Sequence, residues 1–248
     1  MEREEYRKHY ELEESHWWFA GRRKIILSTL EFWLNLPQDA YLLDAGCGTG
    51  FNLKLLQRYP NSFGFDSSEE AIRFCQKRGL KNIIRADAQI MPFKSQIFDV
   101  VFLLDVLYHK KIKSDLSVLQ DVHRVLKKGG YLFISDSAFN FLSSRHDEAV
   151  HARERYTGKT LSQRLKKADF AVLKISYFHF FLFLPVLFFR LWEKIRGRGK
   201  KAPESHLKKV DRRTNSWLFK IFSAEAFFLK HISFPFGSSL LCVTRKNS

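Results

Sequence analysis

An apolar run followed by a glycine-rich turn limits what this chain can fold into more than any other feature. The run is YLLDAGCGTG, at residues 41–50. Its two leucines predict a buried strand that ends at Asp44. The glycines that follow allow backbone torsions and a close ligand approach that a side chain would block; they are Gly46, Gly48 and Gly50. We therefore predict the first strand and ligand turn of a nucleotide-type site, although a tight strand-to-helix turn without a ligand would use the same glycines.

Carboxylates follow the next two predicted strands as well. The strand-like runs at residues 62–65 and 82–85 lead into Asp66 and Asp87. In a doubly wound sheet the carboxyl ends of neighbouring strands line one crevice, so these acids and Asp44 would converge on one ligand. An acid about 20 residues after a glycine turn suits a ribose diol, which a nicotinamide dinucleotide would also supply. Asp44 and Asp87 instead suit an amino-acid ammonium and an adenine amino group.

These motifs resemble those of the class I S-adenosylmethionine-dependent methyltransferases, particularly the type 11 group. LLDAGCGTG is similar to the family's first motif, GFDSSEEAI to its ribose-binding turn and RADAQIMPF to its adenine segment. FDVVFLLDVLYH resembles the fourth-strand motif, and LKKGGYLFIS resembles the turn into the fifth strand. The resemblance implies an α/β fold with a doubly wound, Rossmann-like sheet of seven strands. It also implies S-adenosylmethionine as the cofactor and no metal.

The resemblance also implies which residues hold the cofactor. Gly46 and Gly48 would pass beneath it, Asp66 would hold its ribose, and Asp105 would face the methyl-transfer centre. The segment HWWFAGRR is similar to a family segment that covers the pocket, which would place Arg22 near the methionine carboxylate; the alternative is an aromatic packing face with solvated arginines. The full predicted set is Trp18, Arg22, Asp44, Gly46, Gly48, Gly50, Asp66, Ser67, Asp87, Ala88, Leu104 and Asp105.

Alternating helices and strands are expected along the rest of the chain. Residues 11–36 should be mostly helical, and LKKGG should end a helix with cationic residues in its last turn. Further helices are predicted at 51–58, 69–78 and 114–126. The last two strands are expected at 170–178 and 239–245, and the interval between them is too long for a hairpin loop.

That interval predicts an inserted subdomain. We expect an N-terminal helical cap at residues 1–40, a methyltransferase α/β domain at 41–179 and 237–248, and a helical, hydrophobic and basic insertion at 180–236. Along the insertion, an apolar run is followed by a basic run and then by a second apolar run. Its first apolar run is shorter than the roughly 20 residues that a spanning helix needs, and Pro185 is expected to break it. The second run places apolar residues at helical spacing, interrupted by Glu225; they are Trp217, Leu218, Ile221, Phe222, Phe228 and Leu229.

Net charge is concentrated in the same half of the chain. Residues 1–140 contain 20 Lys and Arg against 18 Asp and Glu, whereas residues 141–248 contain 22 against 8. Basic residues beside aromatic segments are typical of an element that binds an anionic membrane surface. A pair of core helices joined by a solvated basic loop is the alternative, and contact with nucleic acid is less favoured because the aromatics are mainly contiguous phenylalanines.

The location and oligomeric state are less constrained. The charged N-terminal segment lacks the apolar stretch of a secretory signal. The three cysteines form no CxxC pair, which favours a reducing compartment and no structural metal; they are Cys47, Cys75 and Cys242. We therefore expect a cytoplasmic protein, peripheral at the inner face of the membrane. The sequence does not indicate an oligomeric state.

Methyl transfer to a hydroxyl needs alignment, exclusion of water and removal of one proton. His109 is one candidate base, with a structural role as its alternative, and the polar stretch RHDEAVHARERYT supplies His146 and His151. We expect His151 to act as the general base or to contact the acceptor. We expect Arg155 and Tyr156 to orient the acceptor. The expected acceptor is a hydroxyl of a lipid-linked or glycan-type molecule. The alternatives are a quinone or other small amphiphile, an RNA, and a scaffold of a membrane complex that has no turnover.

Overall fold

Residues 3–195 and 207–247 are described by the computed structural model of the protein. Their strands form one seven-stranded sheet in the order β3-β2-β1-β4-β5-β7-β6. The strands are β1 (Leu42–Ala45), β2 (Ser62–Asp66), β3 (Ile83–Arg85), β4 (Phe98–Leu104), β5 (Leu126–Ser137), β6 (Phe170–Phe178) and β7 (Ser239–Lys246). The first five are parallel, and β7 is antiparallel to both β5 and β6. This confirms the predicted fold class.

Helices cover both faces of the sheet. They are α1 (Arg3–Leu12), α2 (Trp17–Trp33), α3 (Phe51–Leu56), α4 (Glu69–Lys77), α5 (Asp115–Val125), α6 (Arg145–Ala149), α7 (Gly158–Lys167), α8 (Phe183–Ile195) and α9 (Arg212–Leu229), with a 3₁₀ turn at Asn140–Leu142. Successive residues of β1 pack into different layers because strand side chains alternate. Leu42 lies in the cluster that includes Leu30 of α2, and Leu43 in the cluster that includes Leu119 of α5.

The order of the strands reverses beside β1. This strand pairs in parallel with β2 on one side and with β4 on the other, so Ala45 is in register with both Phe65 and Leu103. The connections from β1 and from β4 therefore leave in opposite directions. A crevice opens at the carboxyl ends of such a pair, and this is where ligands bind in sheets of this type.

The N-terminal segment forms two helices where the sequence predicted one at residues 11–36. The break between α1 and α2 ends at His16, which caps α2. Its Nδ1 accepts a hydrogen bond of 3.3 Å from Trp18 N. Arg23 holds the turn between the helices: its Nη2 donates to Glu14 O at 2.9 Å and its Nη1 donates to Glu13 O. The buried guanidinium thus satisfies carbonyls that a continuous helix would have used itself.

The sequence predicted that the segment LKKGG ends a helix, but in the structure this segment begins β5. α5 ends at Val125, and Leu126 already pairs with Phe98 of β4. The pairing then shifts register before Tyr131, and Gly129 has a φ of +71° within the irregular stretch. Glycine is favoured there because other residues rarely adopt a positive φ.

Two described helices, α8 and α9, lie between β6 and β7. Pro185 is the third residue of α8 and does not break it, because the first turn of a helix needs no hydrogen bond from that position. None of the helices within residues 3–195 and 207–247 is long and apolar enough to cross a membrane. Residues 196–206, part of the predicted basic segment, lie outside the described ranges. The division into cap, core and insertion stays a prediction.

The apolar stripe predicted for α9 is divided between core and surface. Phe222 and Leu229 are buried, whereas Trp217 and Phe228 are exposed. Glu225, which should interrupt the stripe, is itself fully buried on the core side. Its Oε1 accepts a hydrogen bond of 3.1 Å from Phe180 N, so the carboxyl group fixes α9 to the chain just before α8.

Candidate active site

A cavity of about 180 Å³ lies at the crevice beside β1. Nine of the twelve predicted cofactor residues line it: Arg22, Gly46, Gly48, Asp66, Ser67, Asp87, Ala88, Leu104 and Asp105. They come from α2, from the β1 turn and from the ends of β2, β3 and β4. The structure therefore brings most of the predicted set together.

The glycine turn shapes the floor of this cavity. Gly46 N and Cys47 N both donate to Phe65 O at 2.8 Å, which pins the turn to β2. A Cβ on Gly46 would lie 2.6 Å from Val106 Cγ2, too close for another residue, and the φ of +80° also favours glycine. A Cβ on Gly48 would meet no protein atom within 4 Å, and Gly48 lines the cavity. Glycine at this position therefore leaves space for a ligand.

Asp66 is held at the end of β2 by backbone donors. Its carboxylate accepts hydrogen bonds from Gly48 N at 3.0 Å and Ser68 N at 2.8 Å. Burial is the main reason why the pKa of Asp66 is raised, and these two hydrogen bonds oppose that shift. The carboxylate therefore links the glycine turn to β2 at the position expected for a ribose contact.

Three residues of the predicted cofactor set do not line this cavity. Asp44 is buried behind the turn, with one carboxylate oxygen unpartnered among the described residues, so a direct contact with a ligand ammonium is not supported. Its pKa is raised to about 7 by burial first, and then by the nearby carboxylates of Asp66 and Glu13. Gly50 caps α3, and a Cβ there would lie 2.5 Å from Leu80 Cδ1, so its role is local packing. Trp18 lines a second cavity instead.

Residues before α2 complete the cofactor cavity, and the sequence did not single them out. Tyr6, His9 and Glu13 all line it. Glu13 Oε1 accepts a hydrogen bond from Arg78 Nη2 at 2.6 Å and another from the hydroxyl of Thr49. The charged N-terminal segment gave no signal for this contact beyond its amphipathic spacing, because its partners lie more than 30 residues away in the sequence.

The second cavity has a volume of about 540 Å³ and adjoins the first. Five residues line both cavities: His9, Phe19, Arg22, Asp105 and Tyr108. Apolar side chains of the segment between β6 and β7 line part of it: Leu182, Pro185, Val186, Phe189 and Leu218. Polar groups line it as well, among them Ser137, His146, Arg155, Arg190 and Ser238.

Arg22 and Asp105 form an ion pair where the two cavities meet. Asp105 follows β4 with a φ of +59°, and its backbone N–H donates to Ser135 O at 2.8 Å. Arg22 Nη1 holds the carboxylate of Asp105. The other terminal nitrogen, Nη2, is buried and has no hydrogen-bond partner within the described chain. One cationic donor is thus left for an anionic group of a ligand, such as a carboxylate.

The predicted catalytic residues occupy different places. His109 lines the cofactor cavity, and its pKa is lowered to about 4, mainly by burial. Arg155 lines the second cavity, where Asp147 holds its guanidinium through Nε at 2.8 Å and Nη2 at 3.1 Å. His151 is not among the lining residues of either cavity; its carbonyl accepts a hydrogen bond from Lys110 N at 2.8 Å.

Tyr156 has a structural role where the sequence predicted an acceptor contact. Its side chain is fully buried, and its hydroxyl lies 3.1 Å from Leu107 O and 3.0 Å from Asp115 Oδ2. No acceptor can reach a hydroxyl in that position without opening the core. His146, the other histidine of the polar stretch, does line the second cavity. The burial of Tyr156 argues against its predicted contact with the acceptor, whereas the role of His151, whose ring centroid lies 6.0 Å from that of His109, stays a prediction.

The first cavity fits S-adenosylmethionine by its own chemistry. Gly48 leaves room beside the turn, Asp66 presents a carboxylate, and Arg22 has one unpartnered nitrogen. Asp87 and Ala88 line the far end, where the adenine is expected. The bound cofactor supplies an electrophilic methyl group on a sulfonium, and the ion pair of Arg22 and Asp105 would lie at the boundary with the acceptor side.

Comparison with known proteins agrees with this geometry. Residues 43–134 match the family described as "Methyltransferase domain". The chain is 32% identical over 104 residues to tRNA (carboxymethyluridine(34)-5-O)-methyltransferase of Arabidopsis thaliana, covering 41% of this chain and 25% of that protein. It is 34% identical over 103 residues to fatty-acid O-methyltransferase of Mycolicibacterium smegmatis, covering 39% and 36%. The chain thus spans about a quarter to a third of these relatives.

A solved structure extends the likeness to the whole fold. Geranyl diphosphate C-methyltransferase of Streptomyces coelicolor, in complex with S-adenosyl-L-homocysteine, superposes with a TM-score of 0.57 at 14% identity, covering 88% of this chain and 78% of the other. Sheet order, cavity and family match agree. Residues 43–134 therefore form a methyltransferase domain of the class I, S-adenosylmethionine-dependent kind, type 11 group, and the described strands complete the sheet of that fold.

Proposed function

We propose that the protein transfers the methyl group of S-adenosylmethionine to a hydroxyl of an amphiphilic acceptor, of the lipid-linked or glycan type. One observation carries this proposal: the cofactor cavity adjoins, at Arg22 and Asp105, a larger cavity that is lined by both apolar and polar side chains. An acceptor bound there would present its reacting group at the shared boundary. Its apolar part would lie against α8 and α9.

The size and lining of the second cavity support an amphiphilic acceptor. A volume of about 540 Å³ is within the usual range of small-molecule sites. Val186, Phe189 and Leu218 offer apolar contact, while Ser137 and Ser238 offer hydroxyl groups that can hydrogen-bond a polar head. A site that offers both kinds of contact can orient a molecule that has one apolar and one polar end. The acceptor hydroxyl would therefore arrive with a defined direction, which displacement at carbon requires.

The protein must also accept one proton, because a new C–O bond forms as the C–S bond breaks and the acceptor hydroxyl loses its hydrogen. His9 lines both cavities. Its pKa is lowered to about 4, chiefly by burial and then by the nearby His146, so the imidazole is neutral at pH 7 and can accept a hydrogen bond. His146 lines the acceptor side. These two histidines line the acceptor cavity and are the groups we propose to receive the proton.

The relatives support an acceptor with an apolar part but also leave an alternative. One similar enzyme is named for O-methylation of fatty acids, and another for methylation of tRNA. The apolar wall formed by Leu182, Val186 and Phe189 favours an acceptor of the first kind. Since a lipid-linked acceptor is anchored in a bilayer, the proposed place of action is the inner surface of the cytoplasmic membrane.

A transfer assay with a radiolabelled cofactor tests the proposal. Purified protein is incubated with labelled S-adenosylmethionine and either a total lipid extract or total RNA. We expect label in the organic phase of the lipid reaction, and none with the Asp66→Ala variant, which loses the carboxylate held by Gly48 and Ser68. Label confined to the RNA would overturn the acceptor class. Stabilisation by S-adenosylhomocysteine in a thermal-shift titration checks separately that the cofactor binds.

A further inference from the structure

The outer face of α8 is apolar although it faces solvent. Leu184 is 70% exposed, Phe188 67% and Ile195 86%, and Leu191 and Trp192 are about half exposed. Their spacing places them on one face of the helix. A contiguous apolar face of this kind marks an interaction site in a folded protein, whereas single exposed apolar residues are ordinary.

The other side of the same helix lines the acceptor cavity. Pro185, Val186 and Phe189 all contribute to its wall. α8 therefore carries apolar side chains both on its outer face and at the acceptor cavity, where Arg190 also lies, so that one helix stands between this part of the cavity and the exterior. Neighbouring positions differ in this respect, since Phe188 is 67% exposed and does not line the cavity, whereas Phe189 lines it and is 49% exposed.

Exposed aromatic rings continue the apolar face at the beginning of α8. Phe181, three residues before Leu184, is 45% exposed and its ring centroid lies 6.4 Å from that of Phe228 on α9. Phe228 in turn lies 5.5 Å from Phe227, which is 62% exposed. The apolar face therefore extends from α8 to the end of α9.

Positive charge is concentrated in the described residues that lead into α9. Residues 207–230 contain six Lys and Arg against two acids, of which Glu225 is fully buried. The basic stretch lies between Leu207 and Leu218, and both of these leucines line the acceptor cavity. Lys209, Arg212 and Arg213 are exposed within that stretch. A segment of the chain that combines an apolar face with exposed cations matches a surface that combines hydrocarbon with negative charge.

We propose that the outer face of α8, with the exposed aromatics of residues 181 and 227–228 and the basic residues 209–213, docks onto the surface of an anionic lipid bilayer. No helix of the described ranges can span a membrane, so the binding is interfacial. Docking on this face would place the acceptor cavity one helix away from the hydrocarbon. The inference rests on the proposed function only for the direction from which the acceptor approaches.

Vesicle flotation with the full chain tests the docking face. We compare vesicles of phosphatidylcholine alone with vesicles of equal parts phosphatidylcholine and phosphatidylglycerol. The wild type should float with the anionic vesicles, and its affinity should fall by at least about tenfold in high salt, which screens surface charge. Phe188→Glu, and the milder Leu184→Ser, should each weaken binding by about tenfold or more.

Matched variants separate the docking face from general effects of charge. Leu116→Glu introduces the same charge at a partly exposed leucine of α5 and should leave binding unchanged. Arg212→Gln combined with Arg213→Gln should reduce the preference for anionic vesicles. Each variant's melting temperature is measured, so that an unfolded variant is recognised and replaced by the milder one.

Three results would overturn the docking proposal. They are an absence of flotation with anionic vesicles, equal flotation of Phe188→Glu and the wild type, and a dimer in sedimentation that depends on Phe188 without vesicle binding, which would identify the face as a contact between two copies. Stabilisation by S-adenosylhomocysteine is measured on the same samples. If it fails while flotation succeeds, the proposed function is wrong and the docking face stands.

Discussion

Arg22 of α2 forms an ion pair with Asp105 at the end of β4, at the point where the two cavities meet. The arginine side chain is 10% exposed and the aspartate side chain 37%. Two distant parts of the chain, the N-terminal helix pair and the sheet, are thus joined at the boundary between donor and acceptor. Closure of the cofactor cavity depends on how α2 is seated on the sheet.

Replacing Arg22 should weaken cofactor binding. Arg22→Gln removes the charged group whose second nitrogen is unpartnered, and it leaves Asp105 without its cation. A hydrogen bond to a charged group contributes about 1.5–3 kcal/mol, so the Kd of S-adenosylhomocysteine should rise about tenfold or more. Isothermal titration calorimetry measures this. Arg58→Gln, which removes a surface pair with Glu31 at 2.7 Å, is the control and should bind normally; equal affinities for both variants would contradict a ligand role for Arg22.

Truncation of the apolar cavity wall should act on the acceptor and not on the cofactor. Phe189→Ala removes an aromatic ring from the second cavity, and a phenylalanine contributes up to about 1.5–3 kcal/mol of apolar contact. The KM for a short-chain acceptor should therefore rise roughly tenfold, with an unchanged Kd for S-adenosylhomocysteine. Phe32→Ala is the matched control, because Phe32 is similarly exposed and does not line the cavity. An unchanged KM in Phe189→Ala would move the acceptor site elsewhere.

The buried carboxyl group of Glu225 should make stability depend on pH. Burial raises its pKa from 4.5 to about 7. The unfolded chain therefore releases this proton first, and between about pH 4.5 and 7 the free energy of unfolding should fall as the pH rises, by up to about 1.4 kcal/mol per pH unit. Below that window both states are protonated, and above it both are ionised.

Glu225→Gln tests this dependence because the amide keeps an acceptor for Phe180 N and cannot titrate. Urea unfolding of both proteins across the window should show the wild type losing stability relative to the variant as the pH rises, with a constant difference above about pH 7. Glu225→Ala should be less stable at every pH because it leaves that N–H without its partner. Parallel curves for wild type and Glu225→Gln would show that the carboxyl does not titrate in this range.

Local patterns were sufficient to predict the sheet and the glycine side of the cofactor cavity. β6 was predicted at residues 170–178 and lies at Phe170–Phe178, because its alternation and the turn residues around it are short-range signals. Asp66 and Asp87 were predicted to lie at the cofactor site because the carboxyl ends of parallel strands meet at one edge of a sheet. The closure of the cavity by His9 and Glu13 was not predictable in this way, since it depends on contacts between distant segments.

The polar stretch after β5 shows why a dense group of charges is a weak signal for catalysis. Arg155 is bound by Asp147, and Arg153 is bound by Asp115 and Glu154. Most of these charges neutralise one another within the fold. The sequence shows their density but not their partners, so Tyr156 was assigned to the acceptor although it lies in the core.

Close packing between α2 and α9 should make Gly21 intolerant of even one methyl group. An added Cβ would lie 2.4 Å from Phe222 Cδ1 and 2.6 Å from its Cβ, so rotation of the ring cannot relieve the overlap. Gly→Ala in a helix usually stabilises by about 1 kcal/mol, but overpacking of a core is destabilising by about 1–3 kcal/mol. We therefore expect Gly21→Ala to melt at a lower temperature than the wild type. Because Arg22 is the next residue, the affinity for S-adenosylhomocysteine should fall as well.

The same substitution in a Phe222→Gly background, which removes the Cβ of residue 222 as well as its ring, identifies the cause. Without any side chain at residue 222, these overlaps are gone, and the ordinary helix preference for alanine should make Gly21→Ala neutral or stabilising there. Differential scanning calorimetry of the four proteins gives the coupling between the two positions. A loss of stability that is the same in both backgrounds would show that the Phe222 contact is not what excludes a side chain at residue 21.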